Sequence, residues 1–171
     1  MKWVEQIRAI LNSGDVVRFH SCTGVDKQKN SEHQWGCALI VQFIYPECSK
    51  DLLLAALTHD AAECHTGDIP FSIKKDNTEL SGLLRGIEIE WEKQHGIHFV
   101  LNVDEHVVLK IADTLEGMIF CISQVRNGNL NAEIPFYKWC QFFEDNLLRN
   151  VVCSAEAIQL FNSIVEEMKE L

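Results

Sequence analysis

The stretch Leu52-Leu53-Leu54-Ala55-Ala56-Leu57-Thr58-His59-Asp60-Ala61-Ala62-Glu63 sets the reading of this chain. Six consecutive apolar residues, with no strand alternation, predict a helix that is hydrophobic all round, and such a helix belongs in a core. A charged pair, His59-Asp60, stands at its end. Burying an ionised aspartate is very costly unless a partner or a metal compensates the charge. Glu63 follows at i+3 from Asp60 and i+4 from His59, so a continuous helix would set three ionisable groups on one face.

The rest of the chain also reads as helix. Apolar periodicity predicts helices over 2–13, 31–45, 50–64, 77–94, 104–128, 133–149 and 154–170, which makes the expected fold all-α, a compact multi-helix domain. Ser49, with Asp51 behind it, is set to cap the central helix. Asp76 with Glu79, and Asn102 with Glu105, resemble capping boxes. Prolines, at 46, 70 and 135, are expected between the helices, where they disrupt least. Two polar segments resist a helical reading, Gly14 to Asn30 and His65 to Lys75, and such loops are natural walls for a site. No repeat, low-complexity tract or linker divides the chain, so residues 1–171 are read as one domain.

Composition narrows the function classes. Hydrophobic residues make up 47% and charged residues 23%, as in an ordinary globular protein. The formal net charge of -10 argues against binding a nucleic-acid polymer. No apolar run reaches the length of a membrane span, and Met1 to Glu5 carries no signal-peptide pattern. The seven cysteines are scattered and odd in number, without a CxxC pair, which fits neither a disulfide framework nor a cysteine-ligated zinc. A reducing cytoplasm is the expected compartment.

Two further residues complete a pattern. His33 and Asp113 each fall inside their own predicted helix. Two imidazoles and two carboxylates, from His33, His59, Asp60 and Asp113, suit a divalent transition metal. Glu63 is placed to move a proton to or from a metal-bound water. Lys110, one turn before Asp113, is placed to reach an anion there. The face Ile111, Leu115, Met118 and Ile122 sets Asp113 at the edge of the core. On the last helix, Ile158, Phe161, Ile164 and Val165 form an apolar face for core or interface.

The spacing His33…His59-Asp60…Asp113 resembles the H…HD…D pattern of the HD-domain phosphohydrolase superfamily. His59 to Glu63, continuing through Thr66-Gly67-Asp68-Ile69-Pro70 to Lys74, looks like the bacterial HD-domain 5′-deoxynucleotidases. Arg18-Phe19-His20-Ser21 resembles their Arg-aromatic-His segment. The compact length and Ala112-Asp113-Thr114-Leu115-Glu116-Gly117 resemble the phage dATP triphosphohydrolases. The likeness spans roughly residues 15 to 130. It implies an HD-domain fold, with His33, His59, Asp60 and Asp113 as metal ligands and Glu63 as catalytic acid/base. It also implies Arg18, Lys74 and Lys110 as phosphate-binding residues, with Asp68 beside the sugar and Phe19 and Ser21 in the base pocket; Phe19 and Trp35 are then candidates to pack on the base, with core packing the simpler role for Trp35.

The expected cofactor is a divalent transition metal (Zn, Co or Mn), with Mg2+ accompanying a triphosphate. The expected partner is a small deoxynucleotide, favoured as dATP, giving deoxyadenosine and triphosphate. A homo-oligomer, dimer or hexamer, is implied, in the host cytoplasm for a phage-encoded protein. The chain departs from the family at Ser72, where proline is frequent, at Phe19, where many relatives carry tryptophan, and at Ser21, bulkier and apolar in a relative. All three departures bear on base preference.

Three other readings compete. The nearest is a monophosphate-specific 5′-deoxynucleotidase. A two-metal phosphodiesterase or oxygenase would need extra ligands from His65, His95, His98 or His106. A nucleotide-binding module without chemistry would leave Glu63 idle.

Overall fold

The computed structural model describes residues 3–171, so position 2 of the first expected helix lies outside the described residues. Nine α-helices are found among them: α1 (Trp3–Ser13), α2 (Asn30–Ile44), α3 (Lys50–Ala56), α4 (Glu63–Thr66), α5 (Phe71–Asp76), α6 (Thr78–His95), α7 (Val103–Arg126), α8 (Glu133–Asn146) and α9 (Ala155–Lys169). The all-α expectation holds. One short exception lies in the segment read as loop, where β1 (Val17–Arg18) pairs antiparallel with β2 (Gln28–Lys29). No described helix is long and apolar enough to cross a membrane.

α2 and α7 pack against each other at the centre. From α2, Cys37 and Val41 are fully buried. From α7, so are Ala112, Leu115 and Met118. α3 adds Leu52 and Ala56, and α8 adds Phe136 and Phe143. Phe143 stacks on Phe161 of α9 with centroids 4.3 Å apart, so the apolar face of the last helix serves the core. Truncating a side chain buried as fully as Leu52 to alanine costs about 2–5 kcal/mol.

Local signals fix several boundaries. Ser49 accepts from the Leu52 amide at the start of α3. Asn102 and Glu105 form the expected capping box at α7, and such caps are worth about 1 kcal/mol each. At α6 the cap is Asn77, which accepts from the Leu80 amide, one residue later than the Asp76–Glu79 expectation. Gly96 ends that helix at φ 70°, a left-handed conformation that glycine adopts without penalty. Pro135, expected between helices, sits instead in the first turn of α8, where its missing N–H is not needed.

The stretch that opens the sequence reading differs from expectation. The helix expected over 50–64 ends at Ala56, and residues 57–62 wind through tight turns before α4 begins at Glu63. Its apolar run is not uniformly buried either: Leu52, Ala55 and Ala56 are buried, but Leu57 is 42% exposed. Nothing in the sequence breaks this helix; α2 does. Asn30 Nδ2 donates to the Asp60 carbonyl at 3.1 Å. The Gln34 amide, oriented to match its neighbours, donates to the Leu57 carbonyl (3.1 Å) and accepts from the amides of Asp60 (3.3 Å) and Ala61 (3.2 Å). Buried side-chain amides thus take the backbone groups that a continuing helix would have paired. His59, Asp60 and Glu63 leave the helical face and turn toward α2 and α7.

Candidate metal centre and substrate cavity

Three elements converge on one point. α2 supplies His33, the turn after α3 supplies His59 and Asp60, and α7 supplies Asp113. His33 Nε2 lies 3.3 Å from His59 Nε2, 3.2 Å from Asp113 Oδ1 and 3.5 Å from Asp60 Oδ2. His59 Nε2 is 3.4 Å from Asp60 Oδ2. Ligands about 2.0–2.1 Å from a shared metal stand about 2.9–3.4 Å apart for bond angles of 90–110°. The spacing and the nitrogen-oxygen donor set therefore fit a divalent transition ion.

The tautomers fit as well. His59 Nδ1 lies 3.0 Å from the Ala56 carbonyl. A proton on that nitrogen leaves the Nε2 lone pair facing the cluster. Burial depresses the His59 pKa, which favours the neutral, ligating form. Burial works against charge on Asp60 and Asp113. Even so, His59 and Arg18 beside Asp60, and Lys110 and His33 beside Asp113, hold both carboxyls below the usual range.

The cluster opens on a cavity of about 860 Å³, at the upper end of ordinary small-molecule sites. His33 is fully buried behind its wall. The other residues to which the family resemblance gave a role line it: His59, Asp60, Asp113 and Glu63; Arg18, Lys74 and Lys110; and Phe19, Ser21 and Asp68. Arg18 Nη1 lies 2.5 Å from Asp60 Oδ2. Lys110 Nζ lies 2.6 Å from Asp113 Oδ2 and stands over the rings of Phe71 and Phe142 at 5.4 and 5.7 Å. Asp68 pairs with His20 at 3.4 Å. Lys74 belongs to α5, a short helix inside the segment read as loop.

Glu63 is buried, with Asn30 Nδ2 3.1 Å from Oε2 and Lys74 Nζ 3.5 Å from Oε1. Burial and the charge of Asp60 outweigh Lys74 and Asn30, and its pKa is pushed up to about 8.

Phe19 bears a left-handed φ of 58°, a strain of about 1–2 kcal/mol for a residue with a side chain. Its ring packs 4.6 Å from Phe120 and edge-on to Trp139 at 5.8 Å, and Lys27 Nζ donates to its carbonyl at 2.9 Å. This kink turns the chain between Arg18 and Ser21, so both reach the cavity. Trp35 is 63% exposed on α2, at i+2 from His33 and so on another face. It packs neither in the core nor on the cavity, against both roles considered for it.

The sequence reading passed over several residues. Cys37, one turn after His33, lies with His33, His59 and Asp113 in a group whose donor atoms are all within 4.8 Å of one another. Glu116, one turn after Asp113, contacts His33 Nδ1 through Oε2. Both spacings were available as i+3 or i+4 neighbours of a predicted ligand. Asn30, Gln34 and Gln28 carried no such signal. The histidines a two-metal reading needs stand apart from the cluster: His95 stacks on Trp91, His98 pairs with Glu92, His65 is exposed, and His106 is exposed on the cavity wall. None joins the cluster.

The comparisons agree with this architecture. A family model described as 5′-deoxynucleotidase YfbR-like matches residues 14–100, just over half of the chain. Among solved structures, the cyanophage S-2L HD phosphohydrolase DatZ, bound to dA and one catalytic Zn2+ ion, is 20% identical. It superposes with a TM-score of 0.67 over 97% of this chain and 98% of its own. An HD-domain phosphohydrolase from Listeria innocua is 18% identical, with a TM-score of 0.66 over 98% of this chain and 100% of its own. A protein from Pyrococcus horikoshii, 17% identical, gives 0.67 over 96% and 99%. No curated protein matches the chain significantly by sequence. With its HD-domain fold and a family model covering more than half its length, the chain belongs to the YfbR-like 5′-deoxynucleotidase family of metal-dependent phosphohydrolases.

Proposed function

We propose that the protein cleaves the 5′ phosphoester of deoxynucleotides, with dATP as the favoured substrate and deoxyadenosine and triphosphate as products. The carrying observation is the convergence of the His59 imidazole and the Asp60 and Asp113 carboxylates within 3.5 Å of His33 Nε2, at the wall of a cavity that also presents Arg18, Lys74 and Lys110. His33, His59, Asp60 and Asp113 hold the divalent cation, which supplies Lewis-acid polarisation of the phosphoryl group and acidifies a water.

The chain's own groups do the rest. Arg18 and Lys110, paired with Asp60 and Asp113 at the cavity wall, meet phosphoryl oxygens next to the cluster and offset charge that grows in the transition state. Glu63 handles protons. With a pKa near neutrality it can take a proton from the attacking water and return one to the departing 5′ oxygen. The water oxygen forms the new bond to phosphorus as the bond to the 5′ oxygen breaks. Phe19 and Trp139 offer aromatic surface to the nucleoside, and Asp68 borders the sugar.

Lys75 and Lys138 also line the cavity and have no ion-pair partner among the described residues. That cationic capacity exceeds what one phosphoryl group requires and favours a substrate with a phosphate tail. The solved cyanophage relative bound to dA supports adenine as the base.

Zinc-, cobalt- and manganese-loaded protein should be assayed with dATP, dADP, dAMP, ATP and the other deoxynucleotides, with products resolved as triphosphate, diphosphate or monophosphate. Free triphosphate from dATP is the expected product, and His59→Ala should abolish it. Turnover of dAMP alone would replace this reading with the monophosphate-specific one. Nucleotide binding without turnover under every metal would leave a non-catalytic module.

A further inference from the structure

His33 is the only one of the four proposed ligands with no exposed surface, and the far side of its ring faces another buried group. Glu116 Oε2 contacts His33 Nδ1, while Gln28 Nε2 donates to the other carboxylate oxygen at 2.7 Å. Gln28 and Glu116 are 3% and 8% exposed, so this carboxylate has little access to water and is held by two named partners.

The backbone makes room for it. Gly36 lies on α2 one turn beyond His33, and a Cβ there would stand 2.7 Å from Glu116 Cγ and 3.2 Å from Oε1. A glycine in a helix interior is unfavourable by itself. Here its bare Cα lets the Glu116 side chain lie across α2 and meet the imidazole.

We infer that Glu116, oriented by Gln28 and admitted by Gly36, is a positioning residue for the metal centre, fixing the tautomer and basicity of His33. With its proton on Nδ1 and shared with the Glu116 carboxylate, the ring turns its Nε2 lone pair toward His59, Asp60 and Asp113. The negative charge behind the ring makes that lone pair a stronger donor. His59 has only a neutral carbonyl in the corresponding place, so His33 is the more tightly controlled imidazole.

The inference rests on His33 being a metal ligand, and the experiment separates the two. Zn2+ affinity is measured by competition with a chromophoric chelator for the wild type, His33→Ala, Glu116→Gln and Gly36→Ala. Folding of each is followed by circular dichroism in chelator. Glu116→Gln keeps the size of the side chain and removes its charge, and is expected to weaken Zn2+ binding by about 10–100-fold. Gly36→Ala should weaken it in the same direction, although alanine is the better helix former.

A second readout is the His33 side-chain nitrogen spectrum of the zinc-loaded protein. The wild type should carry its proton on Nδ1, with a strongly downfield proton resonance that moves upfield in Glu116→Gln. If His33→Ala binds Zn2+ like the wild type, the ligand assignment fails. If His33→Ala loses Zn2+ while Glu116→Gln matches the wild type, or if the His33 proton sits on Nε2, the role of Glu116 fails alone. Should Glu116→Gln not fold, the wild-type nitrogen spectrum and Gly36→Ala decide.

Discussion

Replacing Glu63 with glutamine should stabilise the metal-free protein while disabling the enzyme. The folded-state pKa of Glu63 is pushed from 4.5 up to about 8. The native state therefore holds this proton more tightly than the unfolded chain. Between those values the unfolded state releases it first, and stability falls as pH rises from about 4.5 through about 8. At 1.36 kcal/mol per pKa unit, the cost at pH 7 is about 3 kcal/mol.

Glutamine cannot ionise and escapes this cost. It gives some of the gain back, because its amide nitrogen would face either Asn30 Nδ2 at 3.1 Å or Lys74 Nζ at 3.5 Å, both donors. The expected net gain at pH 7 is about 1–3 kcal/mol, or about 2–12 °C in Tm for a chain of this size. The gain should be near zero at pH 4.5. Urea unfolding of both proteins in excess chelator, from pH 4.5 to 8.5, measures it. Turnover of the metal-loaded variant should fall by about 10²–10⁴. A stability difference that stays flat across this range, or a variant less stable at pH 8 than the wild type, would refute the reasoning.

Two further outcomes follow from the packing. Cys37 Sγ is nearly equidistant from the two nitrogens of His33, at 3.8 and 3.5 Å, and so lies over the ring face rather than along the Nε2 lone pair. Burial also pushes its thiol up to about 11. The cobalt-substituted protein should therefore lack an intense near-ultraviolet thiolate band, and a band abolished by Cys37→Ser would make Cys37 a ligand. At Gly117 of α7, an added Cβ would meet the Trp139 ring at 2.6 Å. Gly117→Ala should cost about 1–3 kcal/mol through overpacking. Because Trp139 lines the cavity edge-on to Phe19, KM should rise as well. A variant more stable than the wild type, as helix propensity alone predicts, would contradict this.

Much of the site was legible because its chemistry is carried by residue types that are costly to bury. His59 and Asp60 beside an apolar run signal compensation wherever the chain folds, and Lys110 announces itself one turn from Asp113. Trp35 was misread because an aromatic near a ligand carries no information about which way it points. Glu116 escaped notice because a glutamate one turn past an aspartate usually looks like helix surface. Its meaning depends on Gly36, on a different helix.

By itself, the sequence determined the helical class, most of the boundaries that local caps enforce, and the ionisable candidates His33, His59, Asp60 and Asp113 that the fold gathers at one point. Those features depend on short-range periodicity, capping chemistry and the cost of buried charge, all read within a few residues. Only the tertiary structure decided the break after Ala56. The run into Ala61 and Ala62 has no local reason to stop being helical, but Asn30 and Gln34 capture the backbone of residues 57–61 from across the core. Those long-range hydrogen bonds outweigh local propensity and swing His59 and Asp60 off the helix onto His33 and Asp113.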